Sequence, residues 1–257
     1  MHAFDDAGIG VTAIDIPMPG AVFFGANNPR SGFMGGAFLA QAAIAEWGDD
    51  QVNQGYLVVG ELPQSGAIPA MRTGGQVAGF LAVPEGFPED HVIKIDSKNT
   101  LQESLTQMNI VIGRIPEGVP IMGLAINDPS VTGMLRATAQ AGRADMSLFV
   151  GMGADEIETI AAEERFIASV GYFPERYGNY LLPIALMQLA GVEVPLAVLV
   201  NHAMVTKKNI CDYYDTVECG KGPSFAYKFP QQAFLAHLES LRSDPELEGY
   251  ENLIPSE

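Results

Sequence analysis

Short apolar runs alternate along the chain with longer amphipathic stretches, and the alternation predicts strands and helices in turn. Val11–Ile14 reads as a strand and Pro29–Trp47 as an alanine-rich helix with Phe33, Ala37 and Ala40 on one face. Tyr56–Val59 is a second strand, Ile68–Val83 a helix interrupted by glycines, and His91–Ile95 a strand of β-branched residues. Thr100–Ile112 is the clearest helix: Thr100 and Glu103 have capping-box spacing, and Leu101, Leu105, Met108 and Ile112 share a face. Ile121–Ile126 is wholly apolar; Asp128 is placed to cap the next helix, with Pro129 at its first position and Gly142 just past its end. A strand at Met146–Val150, a helix at Asp155–Arg165, a strand at Ile167–Tyr172, a helix at Tyr177–Ala190 and a strand at Val194–Val200 follow. The pattern then fades into a terminal extension with one short helix near Gln231–Leu241.

Near-continuous apolar strands alternating with helices predict a parallel sheet covered on both faces, and the order fits a doubly wound α/β fold. With 257 residues, 47% of them hydrophobic and 18% charged, the chain is long enough for a substantial core and is not of disordered composition. Lys plus Arg number 14 and Asp plus Glu 31, and 14 − 31 gives −17. So acidic a surface, without a basic patch, disfavours nucleic acid and anionic membranes as partners. No apolar run approaches the roughly 20 residues that span a bilayer, so no membrane insertion by this chain is expected. The first residues, Met1 to Asp6, carry neither a basic region nor an apolar one of signal-peptide type. Cys211 and Cys219 lie in a loop-like stretch and are open to two readings, a disulfide or two free thiols.

Ligands of open parallel sheets bind beyond the carboxyl ends of the strands. The first polar groups there are Asp15, Glu61, Asp96, Asn127 with Asp128, the flexible Met152-Gly153 and Tyr172. Carboxylates and amides with an aromatic suit a polyhydroxylated ligand; the competing reading is that these groups cap the helices that follow. Arg72, on the helix after Glu61, is a scarce cation placed to fork onto ligand oxygens or to pair with a neighbouring acid. Enzyme signatures fail. Gly8-x-Gly10-x-x-Ala13 precedes a strand instead of following one, Gly151-x-Gly153 lacks its third glycine, and neither a phosphate loop nor G-x-S-x-G occurs. His2, His91, His202 and His237 are scattered and unpaired. No catalytic residue, metal or cofactor is expected.

Ala13-Ile14-Asp15-Ile16-Pro17, then Phe24-Gly25-Ala26-Asn27-Asn28 and a helix from Ser31-Gly32, resembles the lobe crossover of type I periplasmic sugar-binding proteins. These are the solute receptors of ABC importers, related to the effector domains of LacI-like repressors. Gly60-Glu61-Leu62-Pro63, Ala125-Ile126-Asn127-Asp128, Val150 to Asp155, Gly171 to Gly178 and Val205-Thr206-Lys207-Lys208-Asn209 match in order, so the resemblance covers about residues 9–210. It implies two α/β lobes joined by three crossovers, with a sugar or similar small polar solute bound in the cleft between them. Ligand contacts are implied at Asp15, near Asn27, and at Arg72, Asn127 and Tyr172; Glu61 joins them as a strand-end carboxylate. Met152-Gly153 departs from relatives with an aromatic and an Asp there, and Tyr172 stands where some relatives have an amide.

Set against that family, the chain starts at the strand ending in Asp15, so one full lobe plus part of a second is expected. The division is 1–27 as the remnant of the first lobe, 28–171 as the second lobe, 172–194 as a return to the first, and 195–257 as the final crossover and C-terminal extension. The helix Tyr177–Ala190 is expected to show an uncovered apolar face. The function implied is solute capture for an ABC sugar importer, with the transporter permease as partner and a periplasmic or extracellular location. An effector-sensing core of a LacI-like regulator and a Rossmann-like enzyme are the alternatives.

Overall fold

The computed structural model describes residues 2–256. Two sheets organise it. The first chain segment supplies helix α1 (His2–Asp6), strand β1 (Thr12–Ile14), strand β2 (Val22–Ala26) and helix α2 (Asn28–Trp47). Next come α3 (Asp49–Val52), β3 (Tyr56–Glu61), α4 (Ala67–Leu81), β4 (Val92–Asp96), α5 (Leu101–Ile112), β5 (Ile121–Ala125) and α6 (Asp128–Gln140). The last part holds β6 (Ser147–Gly153), α7 (Ile157–Ala162), β7 (Phe166–Gly171), α8 (Gly178–Leu189), β8 (Ala197–Val200), β9 (Ala203–Thr206) and α9 (Gln231–Arg242).

The large sheet has the order β4-β3-β5-β6-β7-β9, parallel except for β9, which runs antiparallel along β7 at one edge. Its strands are apolar on both faces because both are covered. Leu57 and Val59 pack with Phe38, Leu39 and Phe80 of α2 and α4. Val58 packs oppositely, with Met108, Val131 and Met134 of α5 and α6. Strand order reverses between β4 and β5 on either side of β3, which opens a crevice beyond the carboxyl ends of β3 and β5.

The small sheet is β1-β2-β8, all parallel. β2 was not anticipated as a strand: Val22–Ala26 was read only as part of a crossover. On one face Phe24, Val22 and Val198 pack with Leu181 and Ile184 of α8. On the other, Phe23, Ala197 and Leu199 join Phe234 and Leu238 of α9, Leu253 and Ile254 of the tail, Phe33 of α2 and Met71 of α4. The C-terminal extension is therefore structural, packing against the small sheet and against α2 and α4 at once. Cys211 and Cys219 form a disulfide, with Cα atoms 5.1 Å apart.

The outer side of α8 is bare. Leu182, Leu186 and Leu189, spaced as one helical face, are 62%, 56% and 84% exposed. Ile14, Ile16 and Met18 beside β1 are exposed as well. Apolar area so disposed promotes association. The 257-residue chain is expected to self-associate with rising concentration, and Leu182→Glu combined with Leu186→Glu to return it to monomer. Sedimentation velocity reads both; a wild-type chain that stays monomeric at high concentration contradicts the expectation.

Candidate functional site

Arg72 lies in the second turn of α4, above the crevice. Its Nε donates to Asn28 Oδ1 at 2.9 Å and its Nη1 to the Ile126 carbonyl at 2.9 Å. The guanidinium carbon stands 4.8 Å over the ring of Tyr172. One side chain thus ties the start of α2, the end of β5 and the end of β7 together; at the first and last of these the chain passes between the two sheets. Asn28 is buried, so its amide oxygen needs the donor that Arg72 supplies.

Tyr172 also packs against His202, the two rings meeting edge-on with centroids 4.8 Å apart. His202 occupies the short link between β8 of the small sheet and β9 of the large one. Both its ring nitrogens are buried without a partner. Burial pushes its pKa down to about 3, and the charges of Arg72 and Arg30 add to the effect. The ring is therefore neutral. Tyr172 is raised by burial, with Arg72 opposing; its hydroxyl faces Met152 Sδ at 3.7 Å.

Two carboxylates complete the surroundings. Asp15 has a left-handed backbone, φ 58°, which turns its side chain back so that Oδ1 accepts from the Ala26 N–H at 3.3 Å. Asp155 follows two further residues of positive φ, Gly153 at 122° and Ala154 at 57°. That turn folds its carboxylate back over Gly153: a Cβ placed on Gly153 meets Asp155 Oδ2 at 2.4 Å. Partial desolvation pushes both acids up from the ordinary aspartate value, and the Arg72 charge opposes the rise in each. Arg72 touches Tyr172, and Asp15 and Asp155 lie within reach of its charge.

Beneath them lies Asp128, fully buried. Its Oδ1 accepts from Ser169 Oγ at 2.6 Å, and its Oδ2 from the N–H groups of Asp155 at 2.8 Å and Glu156 at 3.3 Å. This overturns the expectation that Asp128 caps α6. Asn127 does so, from extended backbone, its Oδ1 accepting from Ser130 N–H at 3.0 Å. Asp128 instead braces the loop that presents Asp155. Burial pushes its pKa up to about 6 against those three donors, so it is ionised at neutral pH.

Of the six residues singled out by sequence, Asp15, Arg72 and Tyr172 come together. Asn27 spends its side-chain oxygen on capping α2, accepting from Arg30 N–H at 3.2 Å. Asn127 caps α6, and its Nδ2 also donates to the Asn99 carbonyl at 3.3 Å. Glu61 turns to Lys94 on the neighbouring strand, 2.8 Å away. Asp155 and His202 were missed. In the sequence the first opens the helix Asp155–Arg165 and the second is one of four scattered histidines. A glycine pair around Met152, just past a strand, was the one sequence signal for the unusual turn at Asp155. Among the described residues no group of three or more His, Cys, Asp or Glu could hold a metal.

Two buried groups give opposite pH dependence. His202 is depressed from 6.5 to about 3, so its share of stability is present above 6.5 and lost as pH falls toward 3. Asp128 is raised from 3.8 to about 6, so its share is present below 3.8 and lost as pH rises through 6. Urea titrations across pH 3–7 should show the acid-side loss reduced in His202→Phe, which keeps an aromatic ring against Tyr172. An unchanged acid limb contradicts the assignment.

Comparison with known proteins places the chain in a family. The periplasmic binding protein domain matches residues 1–193, and the chain belongs to that family. No curated protein matches it in sequence. Among solved structures it resembles an ABC transporter periplasmic solute-binding protein of Actinobacillus succinogenes with bound D-allose. The TM-score is 0.65 at 18% identity, covering 82% of this chain and 74% of the other. A solute-binding protein of Bacillus halodurans with bound myo-inositol gives 0.67 at 18%, with 84% and 72% covered. One of Mycobacterium smegmatis with bound glycerol gives 0.62 at 22%, with 88% and 74% covered. At these identities the likeness establishes the fold, a type I periplasmic binding protein fold of which the chain spans about three-quarters of each neighbour's length.

Proposed function

We propose that the chain is a solute receptor for an ABC sugar importer, and that it binds a sugar or polyol beyond the carboxyl ends of the large sheet, facing the small one. The observation that carries this reading is the convergence of Asp15, Arg72, Tyr172 and Asp155 where two of the crossovers meet. The carboxylates of Asp15 and Asp155 accept from a sugar's hydroxyls, and the Nη2 group of Arg72, whose guanidinium rests on the Tyr172 ring, donates to its oxygens. Nothing in the cluster resembles a nucleophile with its base, which favours binding without turnover. The family and the sugars and polyols held by its structural neighbours support the same reading, as they support a periplasmic or extracellular setting and a permease as partner.

The test is isothermal titration of the 257-residue chain with a panel of aldoses, ketoses, inositols and short polyols. Saturable binding by at least one, abolished in Tyr172→Ala, is the expected result. A panel with no binder overturns the reading.

A further inference from the structure

The donors of this cluster are partly spent while its acceptors are open, and the difference selects among solutes. Arg72 is the cation of the site, and its Nε is spent on Asn28 while an Nη1 proton is spent on the Ile126 carbonyl. A carboxylate or phosphate gripped side-on by a guanidinium needs Nε together with Nη2. That fork is closed. The face of the group is covered too, by Tyr172. His202 adds no charge, because burial and the two arginines keep its ring neutral.

The acceptors are open by contrast. Asp15 takes one backbone N–H through Oδ1, and Oδ2 has no recorded partner among the described residues. Asp155 makes no side-chain hydrogen bond or ion pair there, its carboxylate lying over Gly153. Glu175 adds negative charge next to Asp155. Buried Asp128 below adds another that no cation neutralises directly, being stabilised by a hydroxyl and two amides.

Resting on the sugar-binding reading above, we infer that the site takes polyhydroxylated solutes without acidic groups, rejects sugar acids, and binds an amino sugar more tightly than its neutral counterpart. Hydroxyls and ammonium groups donate to Asp15 and Asp155. A ligand carboxylate meets the negative charge of those two acids and finds no free side-on guanidinium fork in exchange.

The experiment compares two matched triads by thermal shift and calorimetric titration at pH 7 and low salt. They are D-glucosamine, D-glucose and D-glucuronate, and D-galactosamine, D-galactose and D-galacturonate. Within the triad that binds, the expected order of affinity is amine, then neutral sugar, then acid. The amine's advantage should shrink with added salt. In Asp155→Asn that advantage should fall by up to about fivefold, the range of a partly exposed ion pair. A sugar acid that binds as well as its neutral counterpart, or an amine that binds more weakly, overturns this inference and leaves the sugar-binding reading standing. No response from either amino sugar, when some other neutral polyol of the wider panel binds, also overturns this inference and leaves the sugar-binding reading standing. No response from any solute overturns both.

Discussion

Gly36→Val is expected to prevent folding, and Gly36→Ala to cost about 3 kcal/mol or more, at the top of the usual range for overpacking. The reason is how closely α2 and α4 approach. A Cβ on Gly36 falls 1.9 Å from the Gln76 carbonyl oxygen, and one on Gly32 falls 2.0 Å from that of Arg72. From the other helix, a Cβ on Gly79 falls 2.0 Å from the Phe33 carbonyl oxygen. In each case the obstruction is backbone, which cannot swing aside as a side chain does. Relief requires the helices to separate, and separation disrupts the cluster of Phe38, Leu39 and Phe80 on the large sheet. Total stabilities of about 5–15 kcal/mol leave little room for that. Gly74 supplies the control, for it lies in α4, the other helix of the pair, with nothing within 4 Å of its Cβ position. Gly74→Ala should be neutral or stabilising by about 0.5–1 kcal/mol, through helix propensity. Urea unfolding of the two alanine variants, side by side, tests the claim; equal stabilities contradict it.

Arg72→Ala is expected to weaken solute binding by roughly tenfold to a hundredfold, the worth of a hydrogen bond to a charged group. Stability should fall as well, by about 1–3 kcal/mol, because Asn28 Oδ1 and the Ile126 carbonyl both lose their donor. The substitution also takes the cation off the Tyr172 ring and leaves Asp15 and Asp155 without the positive charge that restrains them. Arg72→Lys separates the contributions. It keeps the charge but has no planar fork to reach Asn28 and Ile126 together, so it should restore part of the affinity and little of the stability. Calorimetric titration with the best-bound neutral sugar, together with thermal melting, reads both. Wild-type affinity in Arg72→Ala contradicts the placement of the site.

The helices and strands of the large sheet were largely legible because their periodicity is strong. Thr100 caps α5 as its spacing promised, its Oγ1 accepting from Glu103 N–H at 3.2 Å. The return half of the capping box is absent: Glu103 Oε1 accepts from Gln107 instead. β2 escaped notice because Val22–Ala26 is short, carries a glycine, and runs almost directly into α2. Asp128 looked like a cap because Pro129 follows it. What decides its role is the position of Ser169 and of the Asp155 and Glu156 amides, which belong to other elements and leave no local trace. Asp155 was hidden for a related reason. Its placement depends on Ala154 adopting positive φ, a conformation that alanine's sequence context does not announce. His202 is polar by composition and buried by topology, since only the β8–β9 link carries it behind Tyr172.

The central claim is that a neutral or amine-bearing polyhydroxylated solute binds where Asp15, Arg72, Tyr172 and Asp155 converge. Amide chemical-shift mapping of the 15N-labelled chain during titration with that solute tests it most directly. The account predicts saturable shifts at Asp15, Arg72, Met152 to Glu156 and Tyr172. Shifts concentrated instead at the separate cavity of about 400 Å³ beside Leu148, Lys207 and Phe225 would contradict it.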